Sequence, residues 1–476
     1  MGGLEPPILE VPMVFSTPLF LFWFLPLVLL LYYLAPVRFR NFILLIASLF
    51  FYYWGEQGYA AIMLLSIGID YIHGMIVHHC QQKGNDFGAR FAAVSSINFN
   101  LAILFVFKYW DFAARSLQAA GFGILPVLNI SLPIGISFYT FQTMSYTIDV
   151  YRGDSRVQRN IIHFGTFVTL FPQLIAGPII KYKDLDEQLG SRVHSVDRFA
   201  SGVLRFVTGL AKKLLLANNL GQLWDALKSL PTDELTVAGA WLGAAAFAFQ
   251  IYFDFSGYSD MAIGLGRMLG FEFMENFNYP YIARSITEFW RRWHISLSTW
   301  FREYLYIPLG GNRCSRGRWL LNLLMVWAAT GIWHGASWNY LIWGLYFYVL
   351  LILEKLLLGK YLQKLPMIFQ HLYLIVLVLI SWAIFALEDF GQLFAYLGTM
   401  GGLSGAPFVD GQTVYYLRNF LPILVIAAIG STPLAADLYS RMTSRTLRLI
   451  LLTLGLLLCT AYVVASTYNP FLYFRF

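Results

Sequence analysis

"FSTPLFLFWFLPLVLLLYYL", Phe15 to Leu34, holds 20 residues and no charged side chain. At about 1.5 Å per residue a helix of this length reaches about 30 Å, the thickness of the hydrocarbon core of a bilayer. A helix that is apolar on every side has no stripe to turn toward water, so the stretch reads as a membrane span. The same pattern recurs at about 41–55, 58–79, 93–112, 131–150, 161–178, 200–223, 236–256, 319–334, 338–358, 367–387, 415–432 and 448–468. The 476 residues are 58% hydrophobic and only 12% charged. Soluble domains carry roughly 25% charge, so lipid must solvate much of this chain. Barrel strands would alternate over about ten residues, which these runs do not. The expected fold is all-α and polytopic: about 10–12 transmembrane helices with re-entrant or interfacial helices, forming a single membrane domain over 1–476.

Charge fixes an expected orientation. Glu5 and Glu10 precede the first span, while Arg38 and Arg40 follow it. Basic residues concentrate in cytoplasmic loops, which puts the N-terminus outside. Lys83 and Arg90 after the third span agree, and Arg441, Arg445 and Arg448 before the last send "YNPFLYFRF" outside as well. Both termini on that side require an even number of crossings. The net charge of +7 is distributed over such loops, which argues against nucleic-acid binding. The first twelve residues lack the basic region of a cleaved signal peptide. Met13, opening "MVFSTPLFLFWFLP", is an alternative start codon that would leave 1–12 outside the chain. Cys80, Cys314 and Cys459 are too scattered for a zinc site or a disulfide framework.

Three stretches stand out chemically. "SITEFWRRWHISLSTWFREYLYIPLGGNR", Ser285 to Arg313, reads as a helix with Arg291, His294, Ser298 and Arg302 on one face, ended by Pro308 and Gly310–Gly311. Trp293, Leu297, Trp300 and Tyr304 line another face, and Glu288 and Arg292 form an i,i+4 pair. One reading is an interfacial amphipathic helix. The other is an arginine-bearing face that binds a phosphate-bearing donor. In "TGIWHGASWNY", Thr330 to Tyr340, His334 stands sixteen residues beyond Arg318, about 24 Å along a helix. An ionisable ring at that depth is a candidate functional group. A neutral histidine bonded to a neighbouring helix is the plainer alternative. Gly331, Gly335, Ala336 and Ser337 strip bulk from its surroundings, which would let a substrate approach. In "FQIYFDFSGYSDMAIGLGRMLGF", Phe249 to Phe271, Asp254 and Asp260 interrupt an apolar run. Gly257, Gly264 and Gly266 suit close helix packing, and Asp254 is a candidate partner for a core histidine or arginine. His73, His78, His79, His163, His194 and His371 carry no ligand pattern.

Together these stretches resemble the membrane-bound O-acyltransferase family, and within it the bacterial branch that acetylates alginate and cellulose. "RRWHISLS" and "GIWHGASWNY" carry the likeness, with "LPIGISFYTFQTMSYTIDVYRGD" (132–154), "FPQLIAGPI" (171–179) and "YFDFSGYSDMAIGLG" (252–266). It runs over nearly the whole chain from Met13 and is strongest over 132–344. The resemblance implies helices around a central tunnel in a bacterial inner-membrane protein. It implies acyl transfer from a cytoplasmic thioester, acetyl-CoA above others, to a hydroxyl, with no permanently bound cofactor or metal. His334 is the implied general base and His294 the second catalytic histidine. Arg291, Ser298, Asp254, Trp333 and Asn339 are candidate substrate or tunnel residues, Trp333 and Asn339 as guesses for oxyanion donors. Implied partners are membrane lipid, the donor, and periplasmic proteins that pass the acetyl group to an exported polysaccharide. Rival readings are D-alanyl transfer to teichoic acid from a carrier protein, a proton-coupled transporter, and a non-catalytic secretion scaffold. The transporter reading lacks inverted repeats.

Overall fold

A computed structural model describes residues 13–56, 58–231, 233–465 and 472. The expectations for the first twelve residues and for the exit of "YNPFLYFRF" fall outside them, Leu472 excepted. The described residues form helices joined by turns and loops, without strands. Among the described residues seven helices are long and apolar enough to cross a membrane: Ala60–Gln82, Asp86–Ala119, Val237–Met268, Trp338–Leu362, Met367–Ala386, Gly411–Gly430 and Arg445–Ala465. Several other expected spans are shorter helices, among them Phe20–Leu34, Arg40–Gly55 and Ile136–Arg152. The stretch 161–178 is broken after Thr169, where Pro172 follows a turn at Leu170.

The chain groups into two compact units, residues 1–206 with 259–274, and residues 207–258 with 275–476. In the first, Ala60–Gln82 packs on Asp86–Leu104 and Ile136–Arg152. Asp70, fully buried, accepts hydrogen bonds from Ser96 Oγ (2.5 Å) and Asn100 Nδ2 (2.8 Å), and Thr143 Oγ1 donates to Asn100 Oδ1 (3.0 Å). This network ties the three helices together where an unanswered polar group would be costly. Gly202 and Gly264 face each other, so that a Cβ on Gly264 would lie 2.6 Å from the Gly202 carbonyl. The glycines of 257–266 thus serve helix packing, as their spacing suggested.

In the second unit, Arg316–His334 and Trp338–Leu353 form an antiparallel pair, against which Met367–Ala386 packs. Their close approach depends on glycine. A Cβ on Gly331 would strike the Tyr340 carbonyl, and one on Gly344 the Trp327 carbonyl. Aromatic side chains fill the space between: Trp290, Trp293, Trp327, Trp343, Phe347, Trp382 and Phe385 belong to one buried cluster.

Candidate active site

The expected continuous helix across Ser285–Arg313 is broken. Ile286–Trp290 forms a short helix and a turn follows at 291–294. Ile295–Phe301 resumes, leading into a π-helical turn at Arg302–Tyr306. His294 makes the break, with φ 44° and ψ 55°. A non-glycine residue in the left-handed region costs roughly 1–3 kcal/mol and persists only where its surroundings enforce it. Asn276 does so. Its carbonyl accepts from the Ile295 amide (2.9 Å), and its Oδ1 accepts from the Ser296 amide (3.2 Å), Ser296 Oγ (2.9 Å) and His294 Nδ1 (3.2 Å). Periodicity suggested a helix here because the apolar spacing is right. The break depends on Asn276, 18 residues earlier.

Those bonds also assign the tautomer. A backbone amide only donates, so the Asn276 atom it meets is oxygen, and an amide oxygen only accepts. The proton of neutral His294 therefore resides on Nδ1, and Nε2 carries the lone pair. Burial, and then neighbouring His334, hold this imidazole well below the usual histidine range.

His334 is the last residue of the helix Arg316–His334. It is 5% exposed and His294 is 1% exposed. Their ring centroids lie 6.5 Å apart, so the fold brings together two histidines separated by forty positions. The walls are aromatic. Trp333 lies 5.9 Å from the His294 ring and 5.1 Å from that of His334. Phe255 meets His294 edge-on at 4.7 Å, and Trp343 and Phe385 meet His334 at 4.9 and 5.4 Å. This is a water-poor chamber with two nitrogen bases at its centre. Such a setting suits proton abstraction from a hydroxyl without a protein nucleophile.

A cavity of about 680 Å³ opens beside the other face of the short helix Ile286–Trp290, lined by Arg284, Thr287, Arg291, Lys355, Lys360 and Gln363 among others. Two carboxylates on its wall are already engaged. Glu288 accepts from Arg292 at 2.9 Å, the i,i+4 pair read from the sequence. Glu354 accepts from Ile286 N, Thr287 N and Thr287 Oγ1 at 2.5–2.9 Å and so anchors the helix start. The cavity is left with an excess of cationic side chains, suited to phosphates.

A family model for the membrane-bound O-acyltransferases matches residues 155–387, a stretch that holds both histidines and the cationic cavity. A probable alginate O-acetylase AlgI of Pseudomonas putida is 41% identical across 98% of this chain and 100% of its own length. The chain belongs to the membrane-bound O-acyltransferase family. It is an acyltransferase and a multi-pass membrane protein. A probable alginate O-acetylase of Azotobacter vinelandii is 46% identical over 79% of this chain and 76% of that protein. A peptidoglycan O-acetyltransferase of Helicobacter pylori is 31% identical over 98% of both.

Within this acyltransferase the remaining sequence candidates separate. Arg291 is exposed on the cationic cavity. Ser298 is half-buried and Arg302 exposed beyond the break, so neither shares a helical face with His294. Trp333 lines the chamber. Asn339 does not suit the role of oxyanion donor, because its Nδ2 donates to the Ile384 and Phe385 carbonyls (3.3 and 2.9 Å) and ties two helices. Among the described residues Asp254 bonds neither a histidine nor an arginine. It pairs with buried Lys213 at 2.6 Å and accepts from the Leu472 amide at 3.0 Å. Nor does Gly335 clear a path for substrate, for a Cβ there would strike the Tyr340 ring. Sequence reasoning missed Asn276, Glu354 and Trp343. The Trp343 indole Nε1 is buried without a hydrogen-bond partner among the described residues. Only Asn276, the first asparagine of "ENFNYP", offered a signal, and a weak one.

Proposed function

We propose that this acyltransferase O-acetylates an exported polysaccharide, taking acetyl from acetyl-CoA at the cytoplasmic face of a bacterial inner membrane with both termini periplasmic. The observation that supports this reading best is the pairing of His294 and His334, at 6.5 Å, in a buried aromatic chamber. Names of relatives at 31–46% identity that act on alginate or peptidoglycan point to the polymer class. The cationic cavity is the proposed berth for the phosphates of the donor.

His334 takes the proton of the acceptor hydroxyl. The oxygen attacks the thioester carbonyl and forms the C–O bond. The oxyanion draws on donors in the chamber, for which the indole of Trp343 is the candidate. Collapse breaks the C–S bond, and the departing thiolate takes the proton back from His334. His294, fixed by Asn276, bounds the position of the reacting hydroxyl and offers its Nε2 lone pair to a second O–H of the acceptor. Excluding water favours transfer over hydrolysis. Periplasmic partner proteins carry the acetyl group onward to the polymer.

The test is genetic and chemical. A strain lacking the gene should export polysaccharide without O-acetyl esters. The wild-type gene should restore them and His334→Ala should not. Unchanged ester content in the deletion strain would overturn the assignment.

A further inference from the structure

A second basic cluster lies in the unit formed by 1–206 and 259–274 and has no part in the acyl transfer proposed above. Arg40 follows the apolar helix Phe20–Leu34, and Arg192 and His194 stand in the loop before Val196–Ala211. The Arg40 guanidinium lies 5.1 Å from the Tyr32 ring centroid and 5.7 Å from that of Tyr33. That of Arg192 lies 5.9 Å from Tyr32 and 4.2 Å from Phe271. Stacking of this kind holds a guanidinium in place while leaving its edge N–H groups for another acceptor.

His194 joins the two. The Tyr32 hydroxyl donates to the Leu269 carbonyl at 2.7 Å, so its 2.9 Å contact with His194 Nε2 has Nε2–H as donor. Arg40 Nη1 lies 3.4 Å from both ring nitrogens of His194. Burial, followed by Arg40 and Arg192, lowers the His194 pKa, consistent with a neutral ring. Arg192 Nη1 donates to Asn41 Oδ1 at 2.6 Å, and Asn41 Nδ2 donates to the Leu189 carbonyl. Among the described residues neither Arg40 nor Arg192 pairs with a carboxylate. Nearby Glu272 is bonded to Arg198 and Arg267. Two ordered cations share one histidine and one tyrosine, and no carboxylate among the described residues offsets their charge.

The surroundings say which anion. Leu34 and Val37 are each 74% exposed and Val193 70%, beside a helix whose Leu27, Leu30 and Leu31 are also exposed. Apolar side chains at the end of a lipid-facing helix mark the depth at which phospholipid headgroups lie. A soluble anion would need no such rim. We propose that Arg40 and Arg192 bind the phosphodiester of an anionic glycerophospholipid, with Tyr32 and His194 as positioning residues.

Native mass spectrometry of the full chain, released from phosphatidylcholine nanodiscs containing a minor fraction of phosphatidylglycerol, tests this. Wild type should retain phosphatidylglycerol in preference to phosphatidylcholine. Arg40→Gln with Arg192→Gln should weaken that retention about 30-fold, from about fivefold per cation. Retention equal to wild type overturns the site. Phosphatidylglycerol should raise the melting temperature of the wild type, whereas glycerol 3-phosphate and inorganic phosphate should not. Equal effects would overturn the lipid source. Should the double variant fail to fold, a headgroup-photoactivatable phosphatidylglycerol should label wild-type residues near 32–40 and 192–194. Labelling confined to other regions overturns the proposal.

Discussion

Two buried pairs in the second unit are built on opposite principles. Asp254 and Lys213 are unlike charges 2.6 Å apart. His294 and His334 are like groups, two bases with ring centroids 6.5 Å apart. In the first pair each charge offsets the desolvation of the other, and removing either leaves an ion in a medium that cannot solvate it. In the second, burial and then the neighbouring His334 ring hold His294 toward its neutral form. The fold thus contrasts a pair of opposite charges that holds helices together with two imidazoles packed side by side. The Asp70 network of the first unit follows the Asp254 pattern, with acceptor and donors mutually satisfied.

The largest expected effect is on turnover by the histidine pair. His334→Ala should lower acyl transfer by about 10²–10⁴-fold, the usual worth of a positioned general base. The double variant His294→Ala/His334→Ala should be scarcely slower than His334→Ala alone, because groups acting as a unit are not additive. Multiplicative losses would show that the histidines act separately. The charged pair should break in stability rather than chemistry. Lys213→Ala should cost about 3–5 kcal/mol, and Lys213→Met with Asp254→Leu should recover most of it. Thermal unfolding of the purified variants measures both, and a stable Lys213→Ala would remove the structural reading of Asp254.

Asn276→Ala should lower kcat about 100-fold while KM changes little, since it releases the His294 ring from its working orientation. Asn276→Asp keeps the acceptor and should restore part of the rate. In the cationic cavity, Arg284→Gln with Lys360→Gln should raise KM for acetyl-CoA about tenfold, from about fivefold or less for each lost charge-assisted contact, with kcat near wild type. An unchanged KM would place the donor elsewhere. The smallest effect concerns pH. The folded pKa of His294 lies below its unfolded value near 6.5, so the unfolded chain binds the extra proton first. The stability contributed by this residue is intact above about pH 6.5 and is lost as pH falls from there through the lower folded value. His294→Gln should flatten that part of the melting-temperature profile.

The membrane spans and the two histidines were legible in the sequence because both are local signals: long uncharged runs and short motifs. What was not legible depends on distant partners. Lys213 lies 41 positions before Asp254, so nothing near "FDFSGYSD" revealed its ion pair. The left-handed turn at His294 is hidden in a stretch with helical spacing and is enforced by Asn276. Gly335 looked like a clearing for substrate, yet it makes room for the Tyr340 ring. Small residues near a functional group do not reveal which neighbour needs the space.

The central claim is that His334 is the base and works beside His294. Purified protein in nanodiscs, given acetyl-CoA labelled in the acetyl group, tests it directly through the rate at which label leaves the thioester for a hydroxyl acceptor. Wild type should turn over. His334→Ala should be slower by at least about 100-fold while still binding acetyl-CoA. Equal rates for the two proteins would contradict the account.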